Sequence, residues 1–245
     1  MPFGLTSPEQ YAWFYRGGGM ELMKKVYDKH GVLSFPGGST GVQMGGWFKK
    51  EINTLEDLKG LKMRIPGFAG EIMAKLGVQV TNLAPGELYT SLERGTIDAL
   101  EWVGPSMDIG MGFHKIAPYY YTGWHEPASE MHFIINTKKF EKLPDDLKEI
   151  MLNAIRLSAY DMYIQNYDMN ATAWQQMKAE YPNIQIKTLP KAIMDEMKKV
   201  NKELRNEMGA KSPLLKEVLD SQDAYMKKVR EWTIISDYLY LKDNL

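Results

Sequence analysis

The feature that most constrains the fold is a long segment without helix-breaking residues. Neither proline nor glycine occurs from residue 145 to residue 181. Apolar side chains recur there at helical spacing, as at Leu147, Ile150 and Ala154, and Pro182 follows the end. At about 1.5 Å per residue such a helix is roughly 50 Å long, which exceeds the width of a small lobe. The sequence therefore predicts one helix that passes through two lobes.

A second segment, residues 58–103, has the pattern of an α/β unit. Polar and apolar residues alternate from Lys62 to Ile65, and Pro66 then ends this predicted strand. The pattern continues as helix, strand, helix and a buried strand in residues 67–76, 78–83, 85–94 and 99–103. Strands that alternate with helices in this way predict a parallel α/β topology.

Each end of this segment carries one charged residue that invites a functional interpretation. Arg64 ends the first predicted strand, and open α/β sheets bind ligands at such strand ends. Its guanidinium group matches the geometry of a carboxylate. Glu101 lies in an otherwise apolar run, and a buried carboxylate requires a cation, a hydrogen-bond donor or a raised pKa. A ligand or metal site and a plain internal ion pair are both open interpretations.

Composition excludes several classes of function. A formal net charge of −1 argues against binding to nucleic acid or to an anionic membrane. The absence of cysteine excludes disulfides and thiolate metal sites. No apolar stretch reaches the roughly 20 residues that cross a bilayer, so we expect no direct membrane insertion.

The sequence contains no catalytic motif that we recognise. It lacks a Gly-x-Ser-x-Gly elbow, a His-x-x-x-His pair and a nucleotide-binding glycine loop. The four histidines, His30, His114, His125 and His132, are scattered, and we interpret them as ordinary surface or core residues. We predict that the chain is not an enzyme and has no enzymatic cofactor. A hydrolase that uses Glu101 with a second carboxylate is the minor alternative.

Three motifs resemble the solute-binding subunits of TRAP transporters, the tripartite ATP-independent periplasmic systems. They are DLKGLKMRIPG at residues 57–67, APGELYTSLERGTIDA at residues 84–99 and EWVGP at residues 101–105. The resemblance runs from about Phe3 to the C-terminus and is closest to the branch that binds 2-oxo acids and related carboxylates. It implies a periplasmic α/β solute-binding fold of two lobes, with a long helix that spans both lobes and a cleft that closes on its ligand by hinge motion.

The resemblance also implies roles for particular residues. Arg64 takes the ligand carboxylate, and Gln43, Glu101 and the backbone carbonyl of Trp102 hold Na⁺ or Ca²⁺, which binds the carboxylate and the 2-oxo or 2-hydroxy oxygen. These same residues form the expected substrate site, and the pattern along the chain adds Glu126 and Asn136 as secondary candidates for the cleft. Oxygen ligands suit such ions. The expected function is capture of a small organic acid and its delivery to the membrane permease subunits, by a monomer or a dimer.

The resemblance divides the chain into lobes. Lobe one is expected to comprise residues 1–38 and 127–160, and lobe two residues 39–126 and 161–208. Residues 209–245 are expected to form C-terminal helices that pack over lobe one.

The N-terminus departs from the family pattern. Family members begin with a signal peptide and the first strands of lobe one, whereas residues 2–8 match a segment well inside that pattern and no signal peptide is present. The expectation is an N-terminally truncated chain. A non-functional remnant with exposed sheet edges and apolar surface is therefore an alternative to a working binding protein.

Overall fold

A computed structural model describes residues 1–245, and the chain divides into two compact units. Unit 1 consists of Met1–Phe3, Thr40–Ser129 and Met162–Leu204, and unit 2 of Gly4–Ser39, Glu130–Asp161 and Arg205–Leu245. The predicted long helix is confirmed as a single helix of 36 residues, Asp145–Glu180. Its residues up to Asp161 belong to unit 2 and those from Met162 to unit 1.

Most of the chain is helical. The α-helices are α1 (Ser7–Arg16), α2 (Gly19–Tyr27), α3 (Gly67–Lys75), α4 (Leu88–Arg94), α5 (Pro105–Met111), α6 (Thr137–Glu141), α7 (Asp145–Glu180), α8 (Lys191–Lys211), α9 (Pro213–Thr233) and α10 (Leu239–Asn244). A π-helical turn joins α9 to α10. None of these helices has both the length and the apolar character that crossing a membrane requires.

The strands form two sheets. They are β1 (Val32–Ser39), β2 (Gly46–Phe48), β3 (Lys62–Arg64), β4 (Gln79–Thr81), β5 (Ala99–Leu100), β6 (Tyr119–Tyr121), β7 (Glu130–Asn136) and β8 (Gln185–Lys187). Unit 1 contains a six-stranded sheet of order β4-β3-β5-β2-β6-β8, and unit 2 contains the pair β1-β7. The predicted parallel arrangement is confirmed for β3 with β4 and β5.

Strand β2 lies in a glycine-rich segment of the chain. It pairs antiparallel with both β5 and β6 and so makes the sheet mixed. Gly46 starts this strand with φ 116°, and a Cβ atom there would lie 2.3 Å from the carbonyl oxygen of Leu100. Glycine is therefore required here for two reasons. It adopts a positive φ, and it permits the close approach of β5.

Unit 1 buries apolar side chains on both faces of its sheet. Consecutive residues of β2 and β6 enter different core clusters: Trp47 and Tyr120 belong to one, Phe48 and Tyr121 to the other. Since neighbouring side chains of a strand point to opposite faces, the two clusters cover the two faces. Tyr120 and Tyr121 of β6 are buried, so their rings pack in the core of the sheet.

Unit 2 has a smaller core around its N-terminal helices. The glycine-rich break divides the first helical region into α1 and α2, as predicted. Trp13 and Phe14 of α1 are buried with Leu5 and Leu22, and Trp13 Nε1 donates to Ser221 Oγ of α9 at 3.1 Å. The β1-β7 pairing contains a bulge between Pro36 and Gly38.

One predicted element end differs from the structure. Strand β5 ends at Leu100, so Glu101 follows the strand instead of lying inside it. Helix α8 contains Gly209 and continues to Lys211. A glycine costs a helix only about 1 kcal/mol, which neighbouring packing readily offsets.

Candidate functional site

The structure brings Arg64 and Glu101 together at the ends of adjacent parallel strands. Arg64 is the last residue of β3 and Glu101 follows β5, and the backbone N–H of Glu101 donates to the carbonyl of Arg64 at 3.0 Å. Arg64 Nη1 donates to the backbone oxygen of Glu101 at 2.7 Å and to its Oε2 at 3.2 Å. Both residues are buried, with exposures of 8% and 4%. The internal ion pair that the sequence left open is therefore present.

This ion pair leaves part of the guanidinium group unused. Arg64 Nε is buried and has no hydrogen-bond partner. The Trp102 ring lies beside the guanidinium, with 5.3 Å from Arg64 Cζ to the ring centroid. A buried donor without a partner is energetically costly. The Nε–H of Arg64 is such a donor, and it is free to bond an acceptor that enters the site.

His125 lies on the other side of the Glu101 carboxylate. Its Nε2 is 3.3 Å from Glu101 Oε1, but the contact lacks hydrogen-bond geometry and both ring nitrogens are buried without a hydrogen-bond partner. No sequence pattern connected His125 with Glu101, since the two residues lie on segments that become neighbours only in the fold. The carboxylate is thus placed between an arginine and a histidine.

The segment that contains Gln43 runs beside the residues that follow Glu101. Met44 N donates to the carbonyl of Val103 at 2.9 Å, and Gln43 N donates to the carbonyl of Glu126 at 2.9 Å. The side-chain nitrogen of Gln43 donates to Thr40 Oγ1 at 3.0 Å, so the amide nitrogen is directed to Thr40. Glu126 meets this segment through its backbone, and its side chain is only half-buried.

Asn136, a secondary sequence candidate, has another role. Its side-chain oxygen accepts a hydrogen bond from Lys139 N and caps helix α6 in unit 2. The structure thus gives this residue a local structural function.

The sequence-predicted cation ligands lie on segments that are hydrogen-bonded neighbours in the fold, since Met44 N donates to the carbonyl of Val103. They are the Glu101 carboxylate, the Trp102 carbonyl and the Gln43 side-chain oxygen, and Na⁺ and Ca²⁺ prefer such oxygen ligands. The chain contains no group of three or more His, Cys, Asp or Glu side chains that could hold a metal ion. A cation here would therefore depend on neutral oxygen ligands as much as on Glu101.

A residue that sequence analysis missed supports this region. Asp108 of α5 is buried and accepts hydrogen bonds from the backbone N–H groups of Val103 and Gly104 at 3.1 and 2.9 Å. Burial raises its pKa to about 6 despite these bonds and those from Trp47 and Tyr120. An acidic residue in the first turn of a helix is a recognisable sequence signal, but it predicts only a helix start.

These features define a class of binding protein rather than an enzyme. The site has a buried Arg-carboxylate pair at the ends of parallel strands, and the segment that carries Gln43 is hydrogen-bonded to the residues that follow Glu101. The family model for bacterial extracellular solute-binding protein, family 7, matches residues 1–212. The chain belongs to this family, the solute-binding subunits of TRAP transporters, and the prediction that it is not an enzyme is confirmed by that membership.

Individual relatives agree with this assignment. The chain is 40% identical over 241 residues to the monocarboxylate 2-oxoacid-binding periplasmic protein of Nostoc sp., a match of 98% of this chain and 66% of the relative. It is 58% identical, with a TM-score of 0.96, to a TRAP periplasmic solute-binding protein of Colwellia psychrerythraea solved with bound calcium and pyruvate, over 99% of this chain and 74% of that one. A Pseudoalteromonas atlantica protein with bound sodium and pyruvate gives 59% identity and a TM-score of 0.93, over 98% and 73%. The chain thus spans about two thirds to three quarters of these relatives.

Proposed function

We propose that this chain is the periplasmic solute-binding subunit of a TRAP secondary transporter, that it captures a small 2-oxo or 2-hydroxy acid, and that it delivers this acid to the membrane permease. The observation that carries the proposal is Arg64, a buried arginine at a strand end with an unpartnered Nε. The pyruvate in two close structural relatives and the 2-oxoacid in the name of a third support the ligand class. In this proposal unit 2 corresponds to lobe one and unit 1 to lobe two.

Arg64 provides the contact for the ligand carboxylate. A guanidinium group offers donors in a planar fork that pairs with two carboxylate oxygens. Part of this fork is bonded to Glu101, and Nε is the donor that the fold leaves over. An arriving carboxylate therefore meets a cationic group that is already oriented by the backbone oxygen of Glu101.

Charge balance supports a bound cation in the same site. Glu101 already neutralises Arg64 in this buried position, so a ligand carboxylate adds a second negative charge. A buried charge without compensation is strongly unfavourable. Na⁺ or Ca²⁺ on Glu101, on the Trp102 carbonyl and on the Gln43 side-chain oxygen would supply the missing positive charge and would favour acids with a 2-oxo or 2-hydroxy oxygen. Glu126 remains a proposed additional contact.

The test is isothermal titration of the metal-stripped chain with pyruvate and a panel of 2-oxo, 2-hydroxy and dicarboxylic acids, each with and without Na⁺ or Ca²⁺. We expect binding that depends on the cation. Arg64→Ala should weaken it by about 100-fold, because truncating one member of a buried charged contact costs several kcal/mol. Arg64→Lys should give an intermediate loss, since it keeps the charge without the planar fork.

The matched control is Arg94→Ala, which removes an exposed arginine from the same unit. It should bind like the wild-type chain. Circular dichroism of every variant establishes that it is folded. Unchanged affinity in a folded Arg64→Ala variant would exclude Arg64 as the carboxylate contact.

A further inference from the structure

The turn that follows Glu101 is held from one side by a single buried carboxylate. Asp108 Oδ1 accepts from the backbone N–H groups of Val103 and Gly104, at 3.1 and 2.9 Å. Helix α5, which carries Asp108, begins directly after this turn at Pro105. The turn and the helix therefore form one closed hydrogen-bonded unit.

The other oxygen of the same carboxylate is fixed to the core of the sheet. Asp108 Oδ2 accepts from Trp47 Nε1 at 2.9 Å and from the Tyr120 hydroxyl at 2.8 Å. These two aromatic rings are completely buried and stacked, with 3.9 Å between their centroids. Asp108 thus connects the turn to Trp47 of β2 and Tyr120 of β6, whose rings are fully buried in unit 1.

One of the bonds acts on the peptide group that contains a proposed cation ligand. The carbonyl of Trp102 and the N–H of Val103 belong to the same planar peptide, and the chain has no cis peptide bonds. In a trans peptide the C=O and N–H point in opposite directions. A carboxylate that holds the Val103 N–H therefore aims the Trp102 oxygen away from Asp108, and its charge polarises the peptide so that this oxygen becomes a stronger ligand.

The far end of the turn has a second support. Asn170 Oδ1 of helix α7 accepts from the backbone N–H and the hydroxyl of Ser106, at 3.0 and 2.9 Å. Gly104 lies between the two supports, and a Cβ atom there would be 3.0 Å from Asn170 Oδ1. The turn is thus held at Val103 and Gly104 by one residue and at Ser106 by another.

We propose that Asp108 is a positioning residue that orients the Trp102 carbonyl toward the bound cation. This inference rests on the proposed function, because it presupposes the cation. Asp108 itself makes no contact with the ligand. It acts through the peptide of Val103, as residues outside a metal's own ligands commonly orient those ligands.

The first test is amide hydrogen exchange of the ligand-free chain at pH 8. The Val103 and Gly104 amides should be protected in the wild type and should exchange at least about tenfold faster in Asp108→Ala, which removes their acceptor. Asp108→Asn should restore part of the protection, since an amide oxygen can still face the turn. Tyr120→Phe is the matched control: it removes one partner of Oδ2 and leaves the bonds of Oδ1, so protection at both amides should be retained.

The second test is titration of the same variants with Ca²⁺, alone and with pyruvate. Cation affinity should fall about tenfold in Asp108→Ala, less in Asp108→Asn, and stay near the wild-type value in Tyr120→Phe. Equal cation affinity in folded Asp108→Ala and wild-type chains would overturn the proposal.

The two tests separate failure of this inference from failure of the proposed function. If the wild-type chain binds neither acid nor cation, the proposed function fails, and with it the cation-directing role. Rapid exchange of the wild-type Val103 and Gly104 amides overturns the inference by itself, whether or not Asp108→Ala folds. Normal wild-type binding with unprotected amides would leave the proposed function standing and remove Asp108 from it.

Discussion

Unit 1 and unit 2 each contain a carboxyl group whose pKa is raised by burial, and the two groups are built into the fold in different ways. Burial raises the pKa of Asp108 in unit 1 from 3.8 to about 6, and that of the half-buried Glu130 in unit 2 from 4.5 to about 7. Asp108 accepts four hydrogen bonds, two on each oxygen. Glu130 Oε1 accepts from Gly38 N at a long 3.5 Å, and hydrogen bonds from Gly37 and Tyr11 offset only part of the rise in its pKa.

The difference shows that a raised pKa does not by itself reveal what a carboxyl group does. The four donors around Asp108 are matched by its ionised form, because both oxygens of an ionised carboxylate accept hydrogen bonds and neither donates one. Glu130 lies at the start of β7 in a two-stranded ribbon, and its hydrogen bond from Gly38 N is long. We therefore expect substitutions in the two regions to have effects of different size and sign.

The largest effect is expected where Asp108 meets the core. Trp47→Ala removes a completely buried ring that stacks on Tyr120 and donates to Asp108, and should lower the free energy of unfolding by about 3–5 kcal/mol. The matched control is Trp232→Ala in unit 2, whose ring is 68% exposed, with an expected change below about 0.5 kcal/mol. Urea unfolding followed by circular dichroism measures both. Similar losses in the two variants would show that the contrast in burial does not exist in solution.

A second effect concerns the pH dependence that Asp108 adds. A carboxyl group with a pKa of about 6 when folded and 3.8 when unfolded binds more protons in the folded state between these values, so its contribution to stability increases as pH falls through 6. The Asp108→Ala chain has no carboxyl group at this position and so lacks this increase in stability at low pH. The cost of the substitution should therefore be larger at pH 5 than at pH 7 by about 1 kcal/mol.

Urea midpoints of wild-type and Asp108→Ala chains at pH 5, 6 and 7 provide the measurement. Other groups, such as His132, whose pKa burial lowers, cancel in the difference between the two chains. A cost that does not change with pH would mean that Asp108 titrates as it does in the unfolded chain.

Local patterns in the sequence predicted most of the elements that carry the site. The alternation that ends at Pro66 placed Arg64 at a strand end, and the long helix followed from the absence of proline and glycine. Resemblance to a family contributed the cation site, which residue patterns alone left open. The structure and the family membership agree on the fold.

What the sequence could not predict depends on contacts between distant segments. The close approach of β5 to Gly46 is visible only in the fold. The contact of His125 with Glu101 and that of Asp108 with Trp47 could not be predicted from the sequence. Both contacts depend on the pairing of β5, β2 and β6, which brings distant segments together. Such side chains can be assigned only after the register of the sheet is known.

The smallest expected effect, and the sharpest test of the contrast, is the response of Glu130 to an amide. Glu130→Gln keeps an oxygen for the backbone N–H of Gly38 and removes a charge that burial makes unfavourable. At pH 8 it should therefore raise the free energy of unfolding, by up to about 1 kcal/mol, since the group is only partly buried and water screens its charge. At pH 5 wild-type Glu130 is protonated, so the gain should disappear. Urea unfolding of both chains at the two pH values measures the sign. Destabilisation at pH 8 would mean that the hydrogen bonds to the Glu130 charge outweigh the cost of its burial, and the proposed distinction between the two regions would be lost.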